Sequence, residues 1–289
     1  METQPLVVIV GPTASGKTAL AVKLAERFDG EIICADSRTV YRGMDIGTAK
    51  PTADDRARVP HWGLDLVDPD EIYTAADFKT YADQKIADIR NRGRIPFLVG
   101  GTGLYIDSIV FDYQFPAKPN DEQRAILEKM TIDELHKYCI ENNIELPEND
   151  KNKRYVIRSI EQNGVNRHRK TVPIPHTIIV GITTDIDELN TKIITRTEQL
   201  FENDVASEAI KLAKKYGWNS EAMKGNVYRV CKRYLADELT LAEAKSETVL
   251  LDRRLAKRQL TWFRRDKFIK WYSVTDAEHY IASRLASVA

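Results

Sequence analysis

The stretch Val10-Gly-Pro-Thr-Ala-Ser-Gly-Lys-Thr-Ala-Leu20 constrains the fold more than any other part of the chain. Its core, Gly11 to Thr18, fits the phosphate-loop pattern G-x-x-x-x-G-K-[ST]. The apolar run Pro5-Leu-Val-Val-Ile-Val10 stands directly before it and reads as a buried strand by its length, β-branched content and terminating glycine. Lys17 to Arg27 follows as a short amphipathic helix carrying Leu20, Val22, Leu24 and Ala25. A strand that passes through a glycine-rich turn into a helix aims backbone N–H groups and the positive helix end at one point. Gly11, Pro12, Thr13, Ala14, Ser15, Gly16, Lys17 and Thr18 are therefore the candidate cradle for a di- or triphosphate. Lys17 adds a point charge, and the Thr18 hydroxyl suits Mg²⁺. Taken alone, the motif reports a pyrophosphate-sized anion and leaves its chemistry open.

Further runs repeat the pattern. Glu31-Ile-Ile-Cys-Ala35, Leu64-Asp-Leu-Val67 and Ile95-Pro-Phe-Leu-Val99 read as strands, and Ala75 to Arg92 as a helix. Strands alternating with helices predict an α/β fold, a P-loop NTPase-like parallel sheet flanked by helices. Ligands on such sheets gather at the carboxyl ends of the strands. Gly11–Thr18, Asp36–Thr39 and Gly100–Gly103 all fall at such ends and are expected to converge on one crevice. Asp36 suits a general base or a metal ligand there, and equally a turn cap; spacing leaves these open. After Tyr113 the pattern changes. Residues 114–150 are polar and mostly helical, with helices over Glu122–Lys129 and Thr131–Asn142, and read as a small inserted helical domain. The catalytic core is then 1–113 with 151–289. His176 to Val180 resumes it as a strand, and the chain is almost wholly helical from Ile186 until the apolar run Phe268–Tyr272.

Lys and Arg together number 43, as do Asp and Glu, so the formal net charge is zero. A polyanion must then be met by a local basic surface. Residues 151–170 supply one: Lys151, Lys153, Arg154, Arg158, Arg167, Arg169 and Lys170 stand against Glu161 alone. Such an excess can replace counterions along an RNA backbone, or form a solvated helix face. Arg158 follows Arg154 by four, so the two share a helix face. Arg254, Lys257, Arg258, Thr261 and Arg265 form a second basic face, with Leu251, Leu255 and Trp262 as its packing stripe. Cys34, Cys139 and Cys231 lie far apart, with neither zinc-site nor disulfide spacing, and read as reduced thiols of a cytoplasmic protein. No run approaches the ~20 apolar residues that span a bilayer, and the polar lead at 1–4 is not a signal peptide. A monomer is the default expectation.

Four segments carry a resemblance. Gly11–Thr18, Ala35-Asp-Ser-Arg-Thr-Val-Tyr-Arg-Gly-Met-Asp-Ile-Gly-Thr-Ala-Lys-Pro51, Gly100-Gly-Thr-Gly-Leu-Tyr105 and Leu255-Ala-Lys-Arg-Gln-Leu-Thr-Trp-Phe-Arg-Arg-Asp266 resemble the tRNA dimethylallyltransferase (tRNA isopentenyltransferase) family, of bacterial type. The likeness runs through residues 5–112 and from about 150 to 272. It implies transfer of a dimethylallyl group from dimethylallyl diphosphate to N6 of adenosine 37 beside the anticodon, with Mg²⁺ as cofactor and pyrophosphate as the leaving group. The loop then holds an isoprenoid diphosphate rather than ATP. By the same resemblance Asp36 is the base, Thr102 lies beside the adenine or the allylic carbon, and Arg196 reaches the pyrophosphate. Contacts to tRNA are implied for Asp36, Ser37, Arg38, Thr39, Thr102, Arg124, Arg154, Arg158, Lys257 and Arg258, with the insertion holding the anticodon stem. Two departures stand out. Thr39 occupies a position where many members carry glutamine, and Ala222–Arg229 lacks the family's Ile-Gly-Tyr pattern. The rival readings are an isopentenyltransferase for free adenine nucleotides, a P-loop small-molecule kinase and a non-enzymatic tRNA-binding module. The first two need no RNA-gripping segments; the third has no use for Lys17, Thr18 and Asp36 together.

Overall fold

Strand β1 (Leu6–Val10) is apolar at every position, and all five side chains are fully buried. A strand with no polar face needs cover on both sides, which a parallel sheet between helix layers provides. The computed structural model describes residues 4–115, 121–162 and 169–287. Within them, β2 (Gly30–Ala35), β3 (His61–Trp62), β4 (Ile95–Gly100), β5 (Thr177–Ile182) and β6 (Lys270–Tyr272) complete one sheet of order β3-β2-β4-β1-β5-β6. Every pairing is parallel. Gly100 lies level with Ala35 on one side and Val10 on the other, and Val10 in turn with Gly181. That register brings the ends of β2, β4 and β1 into one row, so the three loops predicted to converge start from neighbouring points.

Helices α1 (Lys17–Arg27), α2 (Ala53–Arg58), α3 (Ala75–Asn91) and α4 (Gly103–Val110) precede the insertion. Within the insertion lie α5 (Asp121–Lys129), α6 (Ile132–Glu141) and α7 (Lys153–Gln162). After it come α8 (Ile186–Glu202), α9 (Val205–Tyr216), α10 (Asn226–Leu235), α11 (Leu241–Phe263) and α12 (Val274–Ala286). Thr74 with Asp77, and Thr240 with Glu243, close reciprocal capping boxes at the starts of α3 and α11. Leu20 and Leu24 of α1 and Ile281 of α12 pack on Val7, Ile9, Phe97 and Val180 of the sheet. A separate cluster joins Val40, Tyr41 and Met44 to Val205, Leu212, Val227 and Tyr228.

Two sequence expectations need correction. The sequence predicts a third strand over Leu64–Val67, but the extended pair is His61–Trp62, beside Ile32 and Ile33. Gly63 and Asp65 both adopt positive φ, 81° and 54°, which breaks an extended run, and Val67 keeps only an isolated bridge to Tyr41. The insertion is also larger than residues 114–150. The chain divides into Met1–Val110 with Pro175–Ala289, and Phe111–Ile174. Helix α7 therefore belongs to the insertion, not the core. Its Val156, Ile157 and Ile160 are buried against Leu127 of α5 and Leu135 and Cys139 of α6. This stripe sits among the charges that drew attention to residues 151–170. Among the described residues no helix is long and apolar enough to cross a membrane.

Candidate active site

The phosphate loop turns through two left-handed positions, Ala14 at φ 62° and Gly16 at φ 87°, before α1 begins. Lys17 folds back over it, its Nζ donating to the Pro12 carbonyl at 3.0 Å. Loss of water around the ammonium lowers the Lys17 pKa to about 8; the Asp36 carboxylate pulls it up and Arg196 pushes it down. Ser15 is fully buried, and among the described residues its Oγ has no hydrogen-bond partner. Thr18 stands exposed in the first turn of α1. Thr13 through Thr18 line a cavity of about 490 Å³, whose apolar wall includes Ile32, Cys34 and Val99. Burial pushes the Cys34 thiol up to about 12, so this wall carries no charge near neutral pH.

A second cavity, of about 350 Å³, is lined by Ser37, Arg38, Gly101, Thr102, Asn226, Asp252, Arg258 and Gln259 among others. Thr13, Lys17, Asp36, Thr48 and Arg196 line both cavities and mark where they meet. Asp36 follows the last residue of β2. Its Oδ1 accepts the Arg38 N–H at 2.8 Å, the turn-capping role expected of an Asp there. Its Oδ2 takes no hydrogen bond among the described residues, so one oxygen holds the turn and the other is left for chemistry. Thr102, after β4, accepts the Ser37 N–H at 2.9 Å and donates its N–H to the Ala35 carbonyl at 3.2 Å, tying the two loops together. Of the possibilities raised for Asp36, the turn cap is the one its hydrogen bond meets.

Arg196 projects from α8 to the same junction, where its Nη1 donates to Asp252 Oδ2 at 2.6 Å. Thr39 is buried and its hydroxyl donates to the Asp36 carbonyl at 3.4 Å. Arg38 donates to the Glu221 carbonyl at 3.3 Å. Arg258 lines the second cavity, whereas Lys257, its exposed neighbour on α11, lines neither.

Arg124, Arg154 and Arg158 belong to the insertion. Arg124 pairs with Glu128 at 3.2 Å and Glu161 at 3.6 Å. Arg158 has its pKa lowered, first by desolvation and then by the positive charges of Arg154 and Arg124, with Glu161 opposing. The three arginines therefore form one basic cluster with exposed Tyr155 beside it. Arg167, counted in the same charge excess, lies outside the described residues.

Sequence reasoning missed the residues that hold this site from a distance. Gln259 of α11 accepts the Thr13 N–H at 2.8 Å and donates to the Gly101 carbonyl at 3.2 Å, clasping the phosphate loop to the loop after β4. It lay inside the quoted Leu255–Asp266 segment, so a signal was present. Glu208 of α9 accepts N–H groups from Asp45, Ile46 and Gly47, at 2.8, 2.7 and 2.9 Å, and the Tyr228 hydroxyl at 2.6 Å. It fixes the turn that presents Thr48 to both cavities.

The IPP transferase family model matches residues 39–266, and the isopentenyl transferase model matches residues 4–59. The tRNA dimethylallyltransferase of Roseiflexus sp. (strain RS-1) is 40% identical over 90% of this chain and 90% of its own. A solved full-length tRNA isopentenylpyrophosphate transferase from Bacillus halodurans is 35% identical, with a TM-score of 0.75, covering 98% of this chain and 97% of its own. A eukaryotic dimethylallyltransferase acting on tRNA, at 24% identity and TM-score 0.79 over 96% of this chain and 76% of its own, shares the fold. With a family model over most of its length and relatives of such identity over nine-tenths of it, the chain belongs to the IPP transferase family, among the tRNA dimethylallyltransferases.

Proposed function

We propose that the protein transfers the dimethylallyl group of dimethylallyl diphosphate to N6 of adenosine 37 in tRNA, releasing pyrophosphate. The observation that carries this reading is the junction of the two cavities at Asp36, Lys17 and Arg196. One cavity offers a phosphate cradle with an apolar wall, suited to a diphosphate bearing a short hydrocarbon. The other opens from the same carboxylate and carries Ser37, Arg38, Thr102 and Arg258, polar groups fitted to a base and its backbone.

The chemistry follows from the charges. As the allylic C1–O bond breaks, its electron pair stays with the departing pyrophosphate. In this reading loop N–H groups, Lys17 and Arg196, which line the cradle, meet that charge. The N6 lone pair forms the new C1–N bond, and the proton N6 must shed goes to Asp36, whose Oδ2 is open. The donors at the cradle are hard oxygens: the Thr18 hydroxyl, exposed on the cavity wall, and the partnerless Ser15 Oγ. They fit Mg²⁺, which binds few protein ligands and fills its shell with water and phosphate oxygens. Thr18 would hold the ion, and Mg²⁺ when bound neutralises part of the leaving-group charge. The target adenine must leave its stack to reach Asp36, at the modest cost an anticodon loop allows. A cytoplasmic monomer is the form in which we expect this reaction, a compartment with which three free, buried cysteines accord.

The test is purified protein with labelled dimethylallyl diphosphate, offered tRNA, AMP, or ATP plus small acceptors. Label in tRNA, lost when adenosine 37 is replaced by guanosine, is the expected result. Label in AMP alone would move the reading to a free-nucleotide enzyme, and phosphoryl transfer from ATP to a kinase.

A further inference from the structure

Asp252 is a carboxylate at the junction with no part in the reaction as described. It lies on α11, is 5% exposed and lines the second cavity together with Asp36. Both its oxygens are engaged. Oδ2 accepts Arg196 Nη1 at 2.6 Å, and Oδ1 accepts Asn226 Nδ2 at 3.3 Å. That separates the two acids: Asp36 keeps one oxygen free of hydrogen bonds among the described residues, while both Asp252 oxygens already accept one. Asn226, at the start of α10, supplies the second bond on this carboxylate.

Arg196 needs such a partner. Two cations, Lys17 and Arg196, face the same cradle and repel each other, which is one cause of the lowered Lys17 pKa. An arginine with a long free stem beside another cation would swing into the open cavity. A guanidinium is planar with fixed donor directions. Holding Nη1 against a buried acid therefore sets where its remaining N–H groups point. Among the described residues Asp252 is the one hydrogen-bond partner of Arg196, leaving its other edge for phosphate oxygens.

We propose that Asp252, fixed by Asn226, is a positioning residue that holds Arg196 for the charge developing on the departing pyrophosphate. The proposal rests on the reading that the cradle takes a diphosphate. It has an unusual corollary. The Asp252 charge opposes anion binding in the ground state while improving the geometry of Arg196 in the transition state. Removing the charge should tighten pyrophosphate binding and slow transfer, a split that loss of structure does not produce.

The experiment compares wild type, Asp252→Asn, Asn226→Ala, Arg196→Ala and the double variant D252N/R196A. Single-turnover transfer to tRNA and calorimetric titration with inorganic pyrophosphate are measured on each. Expected for Asp252→Asn is a transfer rate lower by about tenfold or more, with pyrophosphate affinity unchanged or up to about fivefold tighter. Asn226→Ala, which leaves the ion pair in place, should slow transfer by about two- to fivefold. The double variant should match Arg196→Ala within about twofold in transfer rate, because Asp252 acts on the rate through Arg196, while any tightening of pyrophosphate from the lost Asp252 charge is retained. The idea is overturned if Asp252→Asn weakens pyrophosphate binding and transfer together, if it leaves transfer unchanged, or if its effect multiplies that of Arg196→Ala. Should Asp252→Asn fail to fold, an unchanged rate in Asn226→Ala overturns it equally. The titrations need no tRNA, so a wild type that binds pyrophosphate but modifies no tRNA would sink the proposed reaction separately.

Discussion

Lys17 and Asp36 illustrate how differently two charged residues are prepared. Lys17 is half-buried, and partial loss of water around its ammonium drops its pKa from the ordinary 10.5 to about 8. Below pH 8 the ammonium is charged in both folded and unfolded chains, and desolvation weighs on the fold. As pH climbs from about 8 towards 10.5 the native protein gives up this proton first, so the Lys17 contribution to stability rises over that window. A bound diphosphate reverses the pressure, since two or more negative charges favour the ammonium. Pyrophosphate binding at pH 8.5 is therefore expected to take up protons, measured as a dependence of calorimetric heat on buffer ionisation enthalpy, and Lys17→Gln should abolish the uptake. Identical heats in all buffers, once corrected, would remove Lys17 from the cradle. For Asp36 the prediction concerns rate: Asp36→Ala should cut turnover by about 10²- to 10⁴-fold while tRNA affinity stays within about twofold. Equal losses of rate and affinity would make it an anchor and not a base.

At the level of elements, the site is a set of strand ends pinned by helices that arrive late in the chain. Gly103 at the start of α4 shows how closely α11 is seated, since a Cβ there would lie 2.2 Å from the Trp262 ring. Gly103→Ala should push α11 away and destabilise the protein by about 1–3 kcal/mol, measured by denaturant unfolding. Gln259→Ala leaves the Thr13 N–H and the Gly101 carbonyl without their partner, at a cost of about 1 kcal/mol, and should raise the KM for both substrates because both loops line both cavities. An effect confined to one substrate would mean that the clasp does not couple the loops. These elements also divide what sequence could and could not reveal. Strand, glycine turn and helix around residues 5–27 are read locally, so they were legible, and the ends of β2 and β4 followed from the same periodicity. Gln259 reaches partners 246 and 158 residues away, and Asp252 meets Arg196 across 56, distances at which no spacing rule speaks. The misplaced third strand turned on backbone signs at Gly63 and Asp65, and only glycine announces such a sign in its letter.

For the whole molecule, zero net charge conceals an uneven distribution of charge. The two candidate cavities are lined by residues of the larger unit, where Lys17 and Arg196 are offset by Asp36 and Asp252. The arginine cluster of Arg124, Arg154 and Arg158 belongs to the insertion, and α7 can carry Arg154 and Arg158 because its apolar stripe, Val156, Ile157 and Ile160, builds the insertion's own core. The sequence showed the charges of residues 151–170 plainly, and those charges hid the apolar spacing that decides which unit α7 joins. If the insertion serves affinity and the core serves chemistry, the two are separable by mutation. Arg158→Ala is expected to raise the KM for tRNA by about three- to tenfold, leaving kcat and the KM for dimethylallyl diphosphate within about twofold. The slope of log affinity against log salt should become shallower by about 0.9, the contribution of one lost phosphate contact. Arg124, already held by Glu128 and Glu161, should give a smaller change when replaced, because its guanidinium has less charge to offer a phosphate. A fall in kcat with an unaltered salt slope for Arg158→Ala would show instead that the cluster steers the reaction itself and not the grip on RNA.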